Sequence, residues 1–206
     1  MDHVSLALGV AAACIHATAY FLYSVQASRG TSKPLVSVIG VSAALAILLT
    51  FTYQAATSNW IITLQYYAMM VAATATFVYI LKIGRFEKLT KDEIAYLAAG
   101  AVSGVVWLVF HNAAFANLIL IATILIVYRT LYVRVWKDPT TETALPWKLW
   151  TLAYAISTVN VAYRHARPIA YVSPIVFLFA HLTVAVFCSK RRKERFRRHA
   201  LSTPSR

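Results

Sequence analysis

Seven stretches of mostly apolar residues follow one another along the chain, separated by short polar loops. They cover residues 4–26, 34–53, 60–81, 94–110, 113–132, 147–163 and 168–189. An α-helix needs about 20 apolar residues to cross roughly 30 Å of hydrocarbon. The apolar runs are continuous, whereas a membrane β-barrel would show alternating positions. The pattern therefore predicts an all-α polytopic membrane protein with seven transmembrane helices.

The composition agrees with this prediction. Of the 206 residues, 60% are hydrophobic and only 13% are charged, whereas soluble domains average about 25% charged residues. Cys14 and Cys188 lack the spacing of a disulfide framework or zinc site. No glycine-rich nucleotide loop, His-Glu zinc motif or Ser-His-Asp set is present. We therefore predict no metal ion, no cofactor and no enzymatic activity.

The basic residues indicate an orientation. If the N-terminus lies outside, eighteen of the twenty Lys and Arg residues fall inside, and only Arg164 and Arg167 lie outside. Cytoplasmic loops carry such an excess of positive charge, which predicts N-out, C-in and an odd number of spans. The first apolar stretch opens with Met1-Asp2-His3 and has no preceding basic residue, so we interpret it as a retained helix. The expected location is the bacterial inner (plasma) membrane.

The end of the chain is strongly basic. Eight of the twenty Lys and Arg residues, within a net charge of +13, occur in residues 190–206. One interpretation is a cytoplasmic tail that obeys the positive-inside rule. The other adds contact with anionic lipid headgroups. A nucleic-acid partner is not expected, because no aromatic-interleaved groove accompanies the basic run.

The two halves of the chain resemble each other. Tyr20 and Tyr128 end equivalent apolar runs, and their separation along the chain is almost the same as that of Tyr53 and Tyr163. Two three-helix units of the same orientation need an odd helix between them, so a 3+1+3 parallel repeat is predicted. The predicted units are a first bundle at 1–82, a linker with the fourth helix at 83–112, a second bundle at 113–189 and a basic cytoplasmic tail at 190–206.

This layout resembles the SWEET and PQ-loop superfamily of small-solute transporters. The family pattern at the end of the first helix is Tyr, any residue, Pro, Gln. This chain has Tyr23-Ser24-Val25-Gln26, with valine in place of proline, and residues 131–134 read Leu-Tyr-Val-Arg. In the family that proline is thought to act as a hinge. The resemblance implies a seven-helix transporter with a gate or hinge position at Gln26.

Three polar residues inside the apolar stretches are candidates for solute binding. His16 lies mid-span, and Gln65 and Asn160 are the other two. Polar groups are costly in hydrocarbon unless they find partners. His16 is either a neutral core histidine or a substrate or proton-coupling group. Gln65 and Asn160 either bind a polar solute or form interhelical hydrogen bonds.

Further candidates come from the aromatic, proline and glycine residues. Tyr20, Tyr128 and Ser173 are predicted to line the solute path, and Pro174 is a candidate kink or gate in the last helix. The tryptophans near span ends are interpreted as an interfacial belt; these are Trp60, Trp136, Trp147 and Trp150. Gly100 and Gly104 form a Gly-x-x-x-Gly motif, which allows close helix contact within the chain or in a homo-oligomer.

These features together predict a facilitator for a small neutral polar solute such as a sugar, amino acid, vitamin or nucleoside. Two three-helix bundles would rock about a central site. The alternative is a seven-helix receptor or membrane scaffold that does not transport. A two-sided central cavity would favour transport, and a dry core packed by Leu and Phe would favour the scaffold.

Overall fold

The computed structural model describes residues 2–34, 36–83 and 90–202, with their side chains except those of Ser37 and residues 190–202. Over these ranges the chain is all-helical, which confirms the prediction of seven helices. They are α1 (His3–Ser28), α2 (Val36–Thr57), α3 (Trp60–Ile83), α4 (Lys91–Phe110), α5 (Ala113–Lys137), α6 (Ala144–Tyr163) and α7 (Pro168–Ser202).

Six of the helices in the described ranges are long and apolar enough to cross a membrane, and α6 is the exception. The chain therefore has the character of an integral membrane protein. Helix α6 has the necessary length, but Lys148 and several Ser, Thr and Asn residues lower its hydropathy. The seventh span thus stays a prediction.

Side chains set the beginnings of several helices. Asp2 Oδ1 accepts a hydrogen bond from the Ser5 backbone N–H at the start of α1. Thr90 and Glu93 form a reciprocal capping box at the start of α4. Asn112 begins α5 by accepting from the Phe115 N–H at 3.0 Å. Such caps bind N–H groups that have no partner inside the helix, so these short polar segments define where the helices begin.

Pro174 does not end α7, which is helical on both sides of it. Proline has no N–H, so the carbonyl of Ala170 lacks its normal helical donor. The Tyr53 hydroxyl of α2 donates to this oxygen at 2.8 Å. The proline therefore creates an acceptor that joins α7 to α2, and its role as a kink or gate stays a prediction.

The helices pack in an order that differs from their order in the chain. Helix α3 lies between α1 and α2, and α7 lies between α5 and α6. In the described residues α1 makes no packing contact with α2, nor α5 with α6. Four contacts join these groups of three: α1 with α6 and α2 with α5, which are the most extensive, and α2 with α7 and α3 with α6. The interior of the protein therefore lies where α1, α2, α5 and α6 face one another.

Helix α4 packs on the outside of this assembly, against α2 and α5. A Cβ added to Gly100 would lie 2.6 Å from Leu45 Cδ2 on α2. The close approach permitted by this glycine is therefore made within the chain, and a homo-oligomer stays a prediction. The expected headgroup contacts involve side chains of residues 190–206, which lie outside those described; the backbone of α7 is helical as far as Ser202.

Candidate functional site

A cavity lies between the two groups of helices. Its walls come mainly from α1, α2, α5, α6 and α7, with Met69 and Ala73 contributed by α3. The space open to the centres of water molecules is about 130 Å³. A single water needs about 10–15 Å³ on this measure. The cavity therefore has room for a small solute at the interface between the groups.

One side of the cavity is aromatic. The Tyr20 and Trp150 rings, from α1 and α6, lie 4.9 Å apart, as do those of Trp147 and Trp150. Tyr23, Tyr128 and Tyr154 extend the same wall. The opposite side is aliphatic and comes largely from α2 and α5; it includes Val38, Ile39, Leu45, Leu49, Ile124 and Val127. A solute in this space would touch aromatic rings on one side and aliphatic carbon on the other.

Two buried histidines line the deep end of the cavity. His16 Nδ1 lies 3.0 Å from Gln65 Nε2. His181 Nδ1 lies 2.7 Å from the Phe177 carbonyl oxygen, and its Nε2 lies 2.8 Å from the Tyr128 hydroxyl. Because a carbonyl only accepts, Nδ1 of His181 donates, and Nε2 of the neutral ring accepts from Tyr128. Both nitrogens of His181 are thus hydrogen-bonded within the protein, whereas His16 makes its hydrogen bond through Nδ1.

Glu142 lies at the other end of the cavity, in the α5–α6 loop. Its side chain is only 1% exposed, and its Oε1 accepts from the Tyr23 hydroxyl at 3.1 Å. Burial raises the pKa of the Glu142 carboxyl to about 7, although the Tyr23 hydrogen bond, the Arg134 charge and the nearby Trp147 indole N–H oppose this rise. Oε2 has no hydrogen-bond partner of ordinary geometry among the described residues. A buried carboxylate that faces a cavity, with one oxygen incompletely hydrogen-bonded, is a binding-site candidate.

Beside Glu142, the α1–α2 loop is hydrogen-bonded to the α5–α6 loop. The Lys33 N–H donates to the Thr141 carbonyl at 2.9 Å, and Arg134 donates to the Lys33 carbonyl. Gln26 accepts from the Thr143 hydroxyl, which lies 3.3 Å from the Ser32 hydroxyl. We call these six residues the loop bridge. It joins the two groups of helices at this end of the cavity.

At the opposite end of the molecule a second set of contacts joins α1 to α6. Ser5 donates to Asn160 Oδ1 at 2.7 Å. Arg164 lies 3.3 Å from Ser5 Oγ and 4.0 Å from Asp2 Oδ2. We call these four residues the distal cluster. With the Tyr53 bond between α2 and α7, it joins the two groups of helices at the end remote from the loop bridge.

The structure places the predicted site residues in different parts of the molecule. His16, Tyr20 and Tyr128 line the cavity, and Gln65 contacts His16 without lining the cavity itself. Asn160 belongs to the distal cluster, and Gln26 belongs to the loop bridge. Ser173 donates to Asn117 at 3.4 Å, beside Pro174 in α7. Of the six predicted binding residues, three therefore line the cavity directly.

The interpretation of Trp147 and Trp150 as belt residues is wrong. Their side chains are 6% and 4% exposed, whereas Trp60 and Trp136 are each 50% exposed. Helix α6 packs between α1 and α7, so its tryptophans face the cavity. Glu142 was not predicted as a site residue. It is the last carboxylate before α6, four residues after Asp138, and this position was the available signal.

Replacement of Gln65 by alanine is expected to weaken solute binding at least about tenfold without unfolding the protein. Gln65 is the amide that holds His16 in the cavity wall. Interhelical hydrogen bonds in membranes contribute only about 0.6 kcal/mol, so the melting temperature should change little. Ligand-induced thermal shifts of the purified variant measure the effect.

Gln54→Ala is the matched control, because Gln54 lies on α2 and does not line the cavity. Equal ligand shifts in the wild type and Gln65→Ala would remove Gln65 from the site. Loss of binding in both variants would point to a general defect.

Comparison of the chain with protein-family models, with curated proteins and with solved structures finds no match.

Proposed function

We propose that this protein is a membrane transporter of a small solute, in which two three-helix bundles rock about the central cavity. The observation that carries the proposal is the position of the cavity, which lies between the two groups of helices and has a hydrogen-bonded contact zone at each end. Opening one zone while the other stays closed would give the cavity access to one side of the membrane at a time.

The helix contacts support a parallel repeat as the basis of this motion. The order α1–α3–α2 in the first group matches the order α5–α7–α6 in the second. The contact of α1 with α6 matches the contact of α5 with α2. Helix α4 contacts both groups from outside, as expected for a linker. The arrangement is thus compatible with the 3+1+3 plan, and with the resemblance to SWEET and PQ-loop transporters.

Individual contacts in the loop bridge also support a parallel repeat. Gln26 and Arg134 are separated along the chain by the same interval as Tyr20 and Tyr128. Each residue of the first pair ends the equivalent helix and binds the loop of the other half. Lys33 and Thr141 are separated by this interval too, and they pair directly with each other. Such reciprocal contacts are expected near an axis that relates two repeats.

We also propose α6 as the seventh span, with N-out and C-in orientation. A polar helix can cross a bilayer when its polar side chains face other helices. Ser157, Asn160 and both tryptophans of α6 are buried, and α6 contacts α1, α3 and α7. The cytoplasmic side would then hold the loop bridge and the basic tail, and the distal cluster would lie outside.

The function is tested by ligand screening followed by flux measurement. Thermal unfolding in detergent, across sugars, amino acids, nucleosides, vitamins and organic ions, selects ligands. A ligand that binds only the folded state stabilises it by about 2.7 kcal/mol at a hundredfold excess over Kd. Uptake of the selected ligand into proteoliposomes is the expected result. Binding without uptake would favour a receptor, and the absence of any ligand from this panel would favour a scaffold.

The loop bridge yields the second prediction. A disulfide between Ser32→Cys and Thr143→Cys, made in a background without Cys14 and Cys188, is expected to stop uptake, because the two native hydroxyl oxygens lie only 3.3 Å apart. Reduction should restore uptake. Each single-cysteine variant is the control. Full uptake by the cross-linked protein, with the disulfide verified by gel mobility, would rule out opening at this end.

A further inference from the structure

The aromatic wall of the cavity is suited to a positive charge. Tyr20, Trp147 and Trp150 all line the cavity, and the Trp150 ring centroid lies 4.9 Å from each of the other two. The π-face of an aromatic ring is electron-rich and attracts cations, most strongly for tryptophan and most effectively where water is excluded. A ring of this wall whose face is turned to the cavity would attract a cation without supplying a hydrogen bond.

Few atoms of the lining residues are both fully buried and without a hydrogen-bond partner. In the described part of the chain, three buried atoms that belong to lining residues lack an ordinary hydrogen-bond partner: Glu142 Oε2, Trp147 Nε1 and Trp150 Nε1. Of these, only Glu142 Oε2 is an acceptor and can carry charge. The Glu142 side chain is almost completely buried. An unpartnered buried carboxylate oxygen is costly unless something in the cavity neutralises it.

The remaining lining is poorly suited to a solute with many hydroxyl groups. His181 and Tyr128 are hydrogen-bonded to each other, His181 also bonds the Phe177 carbonyl, and His16 contacts Gln65 through Nδ1. Most other lining side chains are aliphatic or aromatic. A polyhydroxylated solute would leave some of its polar groups unpaired, at a cost in affinity for each. A compact ion with apolar substituents has few such groups to leave unpaired, so it would lose less affinity in this way.

Arg134 also lines the cavity and carries the opposite charge. Its guanidinium donates to the Lys33 carbonyl in the loop bridge. In the described residues no ion pair within 4.0 Å joins Arg134 to Glu142; the ion pair observed is Arg164 with Asp2. The guanidinium is therefore hydrogen-bonded in the loop bridge. Its charge still acts on Glu142 from a distance, and Glu142 Oε2 has no hydrogen bond of ordinary geometry among the described residues.

We propose that the cavity binds a small organic ammonium ion with apolar substituents, whose charge is neutralised by Glu142 and whose substituents contact Tyr20, Trp147 and Trp150. This inference rests on the proposed function, because it names the solute class of the same cavity. It replaces the neutral solute expected from the sequence with a cationic one.

The test compares two probes of equal shape and different charge. Choline and 3,3-dimethyl-1-butanol differ chiefly by a nitrogen cation in place of a neutral carbon. Binding to the purified full-length protein is measured by thermal shift and tryptophan fluorescence at pH 8, in a maltoside detergent without a choline headgroup. We expect choline to bind at least about tenfold more tightly than the alcohol, as cation–π attraction and one carboxylate would give. Equal affinities would overturn the proposal.

Substitutions test whether the charge of Glu142 is responsible for the choline affinity. Glu142→Gln is expected to lower choline affinity at least about tenfold and to leave the affinity for the alcohol unchanged. Asp138→Asn removes the same charge from the same loop but not from the cavity lining, so it should leave both affinities unchanged. Unchanged choline affinity in a folded Glu142→Gln protein would overturn the assignment of Glu142. If that variant does not fold, the wild-type comparison of the two probes still decides the solute class.

Uptake separates this inference from the proposed function. Choline that binds but does not enter proteoliposomes would leave the site assignment intact and contradict transport. A neutral solute that binds and enters while choline does neither would contradict the cation site and leave transport intact. Entry of choline, blocked in the cross-linked Ser32→Cys, Thr143→Cys protein, would support both.

Discussion

Replacing Glu142 by glutamine is expected to stabilise the ligand-free protein at pH 8. The carboxyl is buried against the aromatic wall, and burial raises its pKa from 4.5 to about 7. At pH 8 the wild type must therefore keep an ionised group in a poorly solvated position. Glutamine has a similar shape, and its oxygen can still accept from Tyr23, but it carries no charge.

The sign of this expected change in stability follows from proton binding. Between pH 4.5 and about 7 the folded state holds a proton on Glu142 that the unfolded state releases. The favourable contribution of Glu142 to the free energy of unfolding is therefore fully present below pH 4.5, and it is lost as the pH rises through 7. A shift of this size corresponds to about 3 kcal/mol, or on the order of 6–12 °C in melting temperature for a chain of this length. The two proteins should converge at pH 4.5.

Thermal unfolding of both proteins from pH 4.5 to pH 8 measures this difference. Tyr23 and Arg134 face Glu142, and His16 and His181 line the same cavity. These groups are present in both proteins, so their own titration largely cancels in the comparison. Asp138→Asn controls for loss of a loop carboxylate. A Glu142→Gln protein that is less stable than the wild type at pH 8 would show that the ionised carboxylate does not destabilise the folded protein.

Gly9→Ala is expected to destabilise the protein by about 1–3 kcal/mol, the usual range for overpacking. Gly9 is a buried residue of α1. A Cβ added there would lie 2.7 Å from the Ile61 carbonyl oxygen of α3 and 3.2 Å from Leu64 Cδ1. The first neighbour is backbone, so α1 and α3 would have to separate. Asn160 of the distal cluster lies 3.5 Å from the same point, so this cluster should also be disturbed.

Gly104→Ala is the matched control. A Cβ at Gly104 would meet its nearest neighbour, Leu48 Cδ2, at 3.9 Å, which is ordinary contact. This substitution should be neutral, or stabilising by up to about 1 kcal/mol, because alanine favours the helix. Melting temperatures of the two variants in the same detergent give the comparison. A Gly9→Ala protein as stable as Gly104→Ala would contradict close packing of α1 on α3.

The helices themselves could be predicted from the sequence. The fourth and fifth predicted stretches, 94–110 and 113–132, lie within α4 and α5, and the helix beginning at Pro168 is correct at its first residue. Span length and the apolar runs are local properties, and a bilayer forces any spanning run to satisfy its backbone internally. His16, Tyr20 and Tyr128 were likewise found from local signals, since polar and tyrosine residues inside an apolar run are conspicuous.

What the tertiary structure alone decided is which side of each helix faces inward. In a membrane protein the lipid-facing and inward-facing sides are both apolar, so the periodicity that marks the core of a soluble protein carries little information. Trp147 and Trp150 have the sequence position of belt residues, and only the packing of α6 between α1 and α7 turns them into the cavity. Glu142 is polar and lies in a loop, yet contact with Tyr23 across the two halves buries it. The sequence by itself determined the helices and the excess of basic charge, because both depend on short segments; the cavity and its carboxylate depend on contacts between residues that lie far apart in the chain.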